Sequence, residues 1–265
     1  MRLTVDELRT VLRLHAKWLR GKKGGRRANL ACANLTGADL PYAELTDAEL
    51  TYAELAGAYL TNANLAGANL ADAELAGANL THADLAGSKL TRANLAGAKL
   101  IGANLTDANL TDTNLAGADL TYAELAGANL AYANLAGADL TYADLAGANL
   151  DAADLTSIEH DLWAVLLPAQ SEIPGLVSAL KEGRIDGSCY EGECCCLVGT
   201  IAKVRGVNYD ALPGIVPDAF RPAEIWFMAI KRGDTPETSP IVRITLDWID
   251  EFLSHTLPMT EEGAK

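Results

Sequence analysis

Leucine occupies every position divisible by five from Leu30 to Leu155, twenty-six times without an exception. Two residues before each leucine sits alanine, broken only by Ser88 and Thr113. Neither regular element can use this period. Five residues turn an α-helix through roughly 500°, so successive leucines would smear around the cylinder. Strand side chains alternate, so an odd period sends successive leucines to opposite faces. The backbone must therefore turn a corner once per repeat, each repeat forming one side of a closed coil. Every Leu then faces the axis with the Ala two residues before it, and the other three positions face outward or make the corner. The pairing of bulky with small suits a narrow interior that larger residues would overpack. The period alone leaves the number of sides open.

Hydrophobic residues make up 49% of the 265, enough to bury a core, but aromatics only 6%, so that core is built mainly from Leu and Ala. The formal net charge of −14 is unevenly spread. Residues 1–27 carry nine Lys or Arg against two acids. Residues 28–156 carry three (Lys89, Arg92, Lys99) against sixteen, a balance of −13. Such a field opposes direct nucleic-acid binding by the middle segment and favours a basic, DNA-handling protein surface. No apolar run nears the eighteen or so residues that span a bilayer. The first twenty-one residues interleave charged with apolar positions and lack a secretory pattern. Five cysteines, four crowded between Cys189 and Cys196, form no spaced framework. A cytoplasmic protein without a membrane partner is expected.

The runs Ala28-Asn29-Leu30 and Ala33-Asn34-Leu35-Thr36-Gly37, with their successors, resemble the A(D/N)LXX consensus of the pentapeptide-repeat family. The resemblance covers about half the chain and implies a β-solenoid: a right-handed quadrilateral β-helix with four repeats, twenty residues, per coil. Twenty-six repeats then make 6.5 coils, a rod about 30 Å long at about 4.8 Å per layer.

In such a coil residues twenty apart stack, and the outward positions read as ladders. The residues before Leu on one face run Glu44, Asn64, Asp84, Asn104, Glu124, Asp144. A second face places Glu54 over Glu74, and a third Asp119 over Asp139. Like charges so stacked are mildly destabilising, so they serve solubility or a partner. The position two after Leu carries Gly or Asp on one pair of faces. The other pair holds Tyr42, Asn62, His82, Gly102, Tyr122, Tyr142 and Tyr52, Asp72, Arg92, Asp112, Tyr132. Tyr122 is expected to stack under Tyr142, and Asp72, Arg92 and Asp112 to form an ion-pair ladder.

An open coil exposes its cross-section, so each end needs a cap. Residues 1–27 supply an N-terminal capping helix and linker. Thr4 with Glu7 forms a capping box, and Leu8, Val11, Leu12, His15 and Leu19 share one helical face. His15, Trp18, Leu19, Gly21, Gly24 and Gly25 are similar to a leader found in bacterial and phage members of the family. Residues 28–156 form the repeat rod. Residues 157–265, which lose the register and hold every proline but Pro41, form a separate, mainly helical C-terminal domain. Helices are expected near residues 171–182, 193–205, 222–231 and 244–254, with Trp163, Trp226, Phe227, Trp248 and Phe252 as core anchors.

No nucleophile, phosphate-loop or dinucleotide motif is present. The histidines (His15, His82, His160, His255) are scattered, and Cys189 with Cys194, Cys195 and Cys196 lacks the paired spacing of a zinc site. Catalytic residues, metal and cofactor are accordingly expected to be absent. The shape and charge resemble the DNA-mimicking members of the family that bind DNA gyrase. The expected function is that of a non-enzymatic binding protein whose acidic rod, through Glu44, Asp84, Glu124, Asp144, Asp119, Asp139, Glu54 and Glu74, meets a DNA-binding protein partner such as DNA gyrase. This chain departs from those members in its near-uniform repeats, its lack of an inserted loop in the rod and its extra C-terminal domain. The competing expectation is a stiff scaffold or spacer whose C-terminal domain makes the specific contact or a homodimer. On that reading a chain ending at Thr156 runs as a monomer by size measurement where the full chain runs as a dimer.

Overall fold

The computed structural model describes residues 3–187, 197–208, 212, 214–215 and 221–256. It divides into two compact units, residues 1–157 and 158–265. The first contains a four-sided solenoid. Parallel bridges join each residue before Leu to the residue twenty positions on, from Asn29 with Glu49 to Asn134 with Asp154. Twenty residues therefore make one coil of four five-residue sides. The sides are too short to count as strands, because two residues of every five are spent on the corner. The expected β-helix is thus held by isolated bridges, one per side per coil.

Backbone hydrogen bonding explains the period. In a representative repeat, the Leu70 N–H donates to the Lys89 carbonyl (2.7 Å), Lys89 N–H to Ala68 (2.9 Å), and Asp72 N–H to Thr91 (3.0 Å), all across coils. Ala73 N–H closes the corner onto the Leu70 carbonyl at 3.1 Å. Four of the five N–H groups in the repeat are thereby satisfied by backbone, leaving only the residue after Leu. The corner bond, with the residue two after Leu at positive φ, is the pattern of a type II turn. All twenty-five such positions from Cys32 to Ala152 have φ between +54° and +69°; eleven are glycine and fourteen are not. Each non-glycine corner costs about 1–2 kcal/mol relative to ordinary backbone, which the inter-coil bonds on both sides offset.

Leucine and alanine fill the interior, every Leu from Leu30 to Leu155 being buried. The two breaks in the Ala column are also buried, with different outcomes. The Thr113 hydroxyl donates to the Leu90 carbonyl at 2.8 Å, whereas Ser88 Oγ has no hydrogen-bond partner.

Helix α1 (Val5–Leu19) starts on the expected capping box: Glu7 N–H donates to Thr4 Oγ1 and Thr4 N–H to Glu7 Oε2. His15 is its one fully buried residue. The His15 Nδ1 accepts the Ala28 N–H at 3.0 Å, Arg26 N–H donates to the Leu14 carbonyl at 3.0 Å, and Arg27 Nε donates to the Asp47 carbonyl. These bonds tie the helix and its linker to the first coil. Burial pushes the His15 imidazole below the usual histidine range, as an Nδ1 that must accept requires. Leu8, Val11 and Leu12 are half-buried, but Leu19, expected on the same face, is exposed. The chain reverses beside it, and Gly25 passes so close that a Cβ would lie 2.4 Å from the Trp18 nitrogen.

In the second unit lie most of α2 (Thr156–Leu166), a 3-10 turn (Leu167–Glu172), α3 (Ile173–Lys181), α4 (Leu197–Arg205), α5 (Pro222–Met228) and α6 (Pro240–Thr256). Four of these meet the expected helices, although α6 begins earlier and residues 193–196 lie outside the described set. Helix α2 was not expected, though Ile158, Leu162, Val165 and Leu166 bury one face of it. Trp226, Phe227 and Phe252 are buried as anchors. Trp163 and Trp248 are only half-buried, linked by a bond from Trp163 Nε1 to the Trp248 carbonyl at 3.2 Å.

Ser88→Ala is expected to stabilise the rod by about 1 kcal/mol or more, since it removes a buried hydroxyl without a partner; denaturant unfolding measures it. By the same measurement Ala152→Gly, relieving a left-handed corner, gains about 1 kcal/mol. Gly97→Val, where a Cβ meets nothing within 4 Å, loses about 1–2 kcal/mol through backbone conformation alone.

Candidate functional site

The residue before each Leu sits at the middle of a side, where it makes the bridge to its neighbours. When it is Asn or Asp, its side-chain oxygen accepts the N–H of the residue after Leu, the group the coil leaves over, except at Asp39, where that residue is Pro41 and has no N–H. Ala96 N–H donates to Asn94 Oδ1 at 3.2 Å and Ala116 N–H to Asn114 Oδ1 at 3.1 Å. The same bond holds four of the eight candidate acids. Asp84 accepts from Ala86 (3.1 Å), Asp119 from Thr121 (3.1 Å), Asp139 from Thr141 (2.9 Å) and Asp144 from Ala146 (3.1 Å). Sequence reasoning missed this second task of the carboxylates. The preference of Asn and Asp for bonding the backbone two residues on is the signal that reveals it.

Glutamate is one methylene longer, and three of the four candidate glutamates take a different partner, an amide from the stacked rung. Glu44 accepts from Asn64 Nδ2 (3.5 Å), Glu54 from Asn34 Nδ2, and Glu74 from Asn94 Nδ2 (2.8 Å). Glu124 is exposed. The column Glu44, Asn64, Asp84, Asn104, Glu124, Asp144 is bridged in that order, and Glu54 with Glu74 and Asp119 with Asp139 are bridged directly. Three acid pairs therefore lie on adjacent coils with no neutral rung between them.

Glu49 shows how the rod keeps a carboxylate charged. Partial burial alone would raise it, but hydrogen bonds from Thr51 and Asn69 outweigh that and hold it below the usual glutamate range. The expected Asp72, Arg92, Asp112 ladder closes only on one side: Arg92 grips Asp72 with two bonds, 2.8 and 2.7 Å. That planar fork is matched by one carboxylate, and Asp112 remains an electrostatic neighbour. Tyr122 and Tyr142 stack as expected, with ring centroids 5.0 Å apart and planes at 17°. Both stand at corners with positive φ, 58° and 56°.

Cys189, Cys194, Cys195 and Cys196 lie outside the described residues. Among the described residues no group of three or more His, Cys, Asp or Glu is placed to hold a metal ion. No described helix is long and apolar enough to cross a membrane.

The family model for pentapeptide repeats matches residues 28–67, 53–92, 88–123 and 118–156. The chain is similar to HetL, a pentapeptide repeat protein involved in heterocyst differentiation regulation from the cyanobacterium Nostoc sp. strain PCC 7120. Identity is 30% over 58% of this chain and 96% of that one, with a TM-score of 0.34. It is similar also to Rfr23 from the cyanobacterium Cyanothece 51142, at 28% identity, 53% and 98% coverage and a TM-score of 0.26. QnrB1, a plasmid-mediated fluoroquinolone resistance protein, matches at 18% identity over 45% of this chain and 73% of its own, with a TM-score of 0.20. None of the curated proteins matches the chain.

Because Asn can accept the same backbone bond, replacing Asp84, Asp119, Asp139 and Asp144 together by Asn is expected to leave the fold intact. Asn114→Ala, which strands the Ala116 N–H, is expected to cost about 1 kcal/mol; parallel urea titrations compare the two.

Proposed function

Because this chain belongs to the pentapeptide-repeat family over residues 28–156, we propose that it is a non-enzymatic binding protein whose acidic rod, right-handed in the manner of the family, presents a duplex-like surface to a DNA-binding protein. DNA gyrase is the partner to try first. One observation carries this reading: the parallel bridges hold the acids in register at one-coil intervals. A balance of −13 over residues 28–156 along about 30 Å is one charge per about 2.3 Å, against about 1.7 Å for duplex DNA. Four of the eight acids are also fixed by backbone bonds, so little side-chain freedom is lost when a partner docks. A basic groove would meet this rod fast and with strong salt dependence.

The evenness of the repeats supports a second reading, a stiff spacer whose C-terminal unit makes the specific contact, since discrimination between partners draws on local variation. Supercoiling by purified bacterial gyrase at fixed salt separates the two. The native protein is expected to inhibit, and a Glu44→Gln, Asp84→Asn, Glu124→Gln, Asp144→Asn variant to lose that inhibition. No effect of the native protein at micromolar concentration removes gyrase and leaves the spacer in front.

A further inference from the structure

The rod is less uniform than its repeats suggest. All three of its basic residues, Lys89, Arg92 and Lys99, fall within eleven residues, and none occurs from residue 100 to residue 180. Beyond Lys99 the negative charge is unrelieved. Of the two corners in this stretch that carry exposed tyrosine, one combines that charge with a stacked aromatic pair. Tyr122 and Tyr142, 59% and 37% exposed, form the stacked pair. Asp119 and Asp139 lie on the side leading into this corner, and Glu124 and Asp144 on the side leading out. One coil earlier the corner is Gly102, which has no side chain to cover Tyr122. The diagonally opposite corner differs. There Tyr132 stands between Asn129 and Asn134, and Tyr52 interacts with Asp72, the carboxylate held by Arg92.

We propose that the Tyr122–Tyr142 corner, with Asp119, Asp139, Glu124 and Asp144, is the docking point of the rod for an arginine-bearing basic surface of a protein partner. The assignment rests on the acidic-rod reading and narrows it to two coils. Arginine fits both halves of the patch, since its planar guanidinium stacks on aromatic rings and also pairs in a forked manner with carboxylates. Lysine satisfies only the charge well. The tyrosines also stand where glycine would be easier on the backbone, and Tyr→Gly there keeps the corner and the net charge.

The test measures binding of labelled nona-arginine and nona-lysine peptides to the full chain at physiological salt. Three proteins are compared: native, Tyr122→Gly with Tyr142→Gly, and Tyr52→Gly with Tyr132→Gly as the opposite-corner control, each checked for unchanged circular dichroism. The native protein is expected to prefer nona-arginine by about fivefold. That preference falls to about one in the first variant and persists in the control. Equal preference in all three, or equal loss in both variants, overturns the corner while leaving the acidic rod standing. Failure of the native protein to bind either peptide overturns both.

Discussion

The left-handed corner repeated every five residues is the constraint on which the structure depends. It brings Leu and Ala to the axis on every side, and it aligns N–H and carbonyl groups so that each coil bonds to the next. Because both neighbouring coils fix it, the corner tolerates residues as unsuited to positive φ as Tyr122 and Arg92. A single coil would have no such support. This is why solenoid repeats gain stability from stacking rather than individually.

The same economy governs the charge. Asn and Asp before Leu complete the backbone hydrogen bonding, so an acidic residue there is a structural acceptor as well as a source of field. Swapping Asn for Asp changes the charge of a face while keeping the acceptor that completes the coil. Charge can therefore be patterned along the rod, concentrated beyond Lys99 and neutralised around Arg92, on an almost constant backbone.

The N-terminal end of the rod needs a different solution, because its first coil has no preceding partner. Helix α1 and the linker after it are fastened there: His15 accepts the Ala28 N–H, the Leu14 carbonyl accepts the Arg26 N–H, and Arg27 donates to the Asp47 carbonyl. A buried imidazole accepting the Ala28 N–H ties the cap to the rod, and burial holds that imidazole below the usual histidine range.

The five-residue period alone dictated a corner in every repeat and an interior of Leu and Ala, because no helix or strand can gather leucines so spaced. The number of sides, and with it the stacking of residues twenty apart, came from the family resemblance and is seen in the parallel bridges. The capping box at Thr4 was legible from local spacing, and the Tyr122–Tyr142 stack from the twenty-residue coil that the family resemblance implies. Only the tertiary structure decided that the residue two after Leu is left-handed whatever its type; tyrosine and arginine carry no local signal for that conformation. It also decided that Arg92 chooses Asp72 over Asp112, that Leu19 stays exposed, and that Ser88 and Thr113 meet opposite fates in one column. Each of these depends on which neighbour a side chain reaches after the backbone has closed, and no period in the chain encodes that distance.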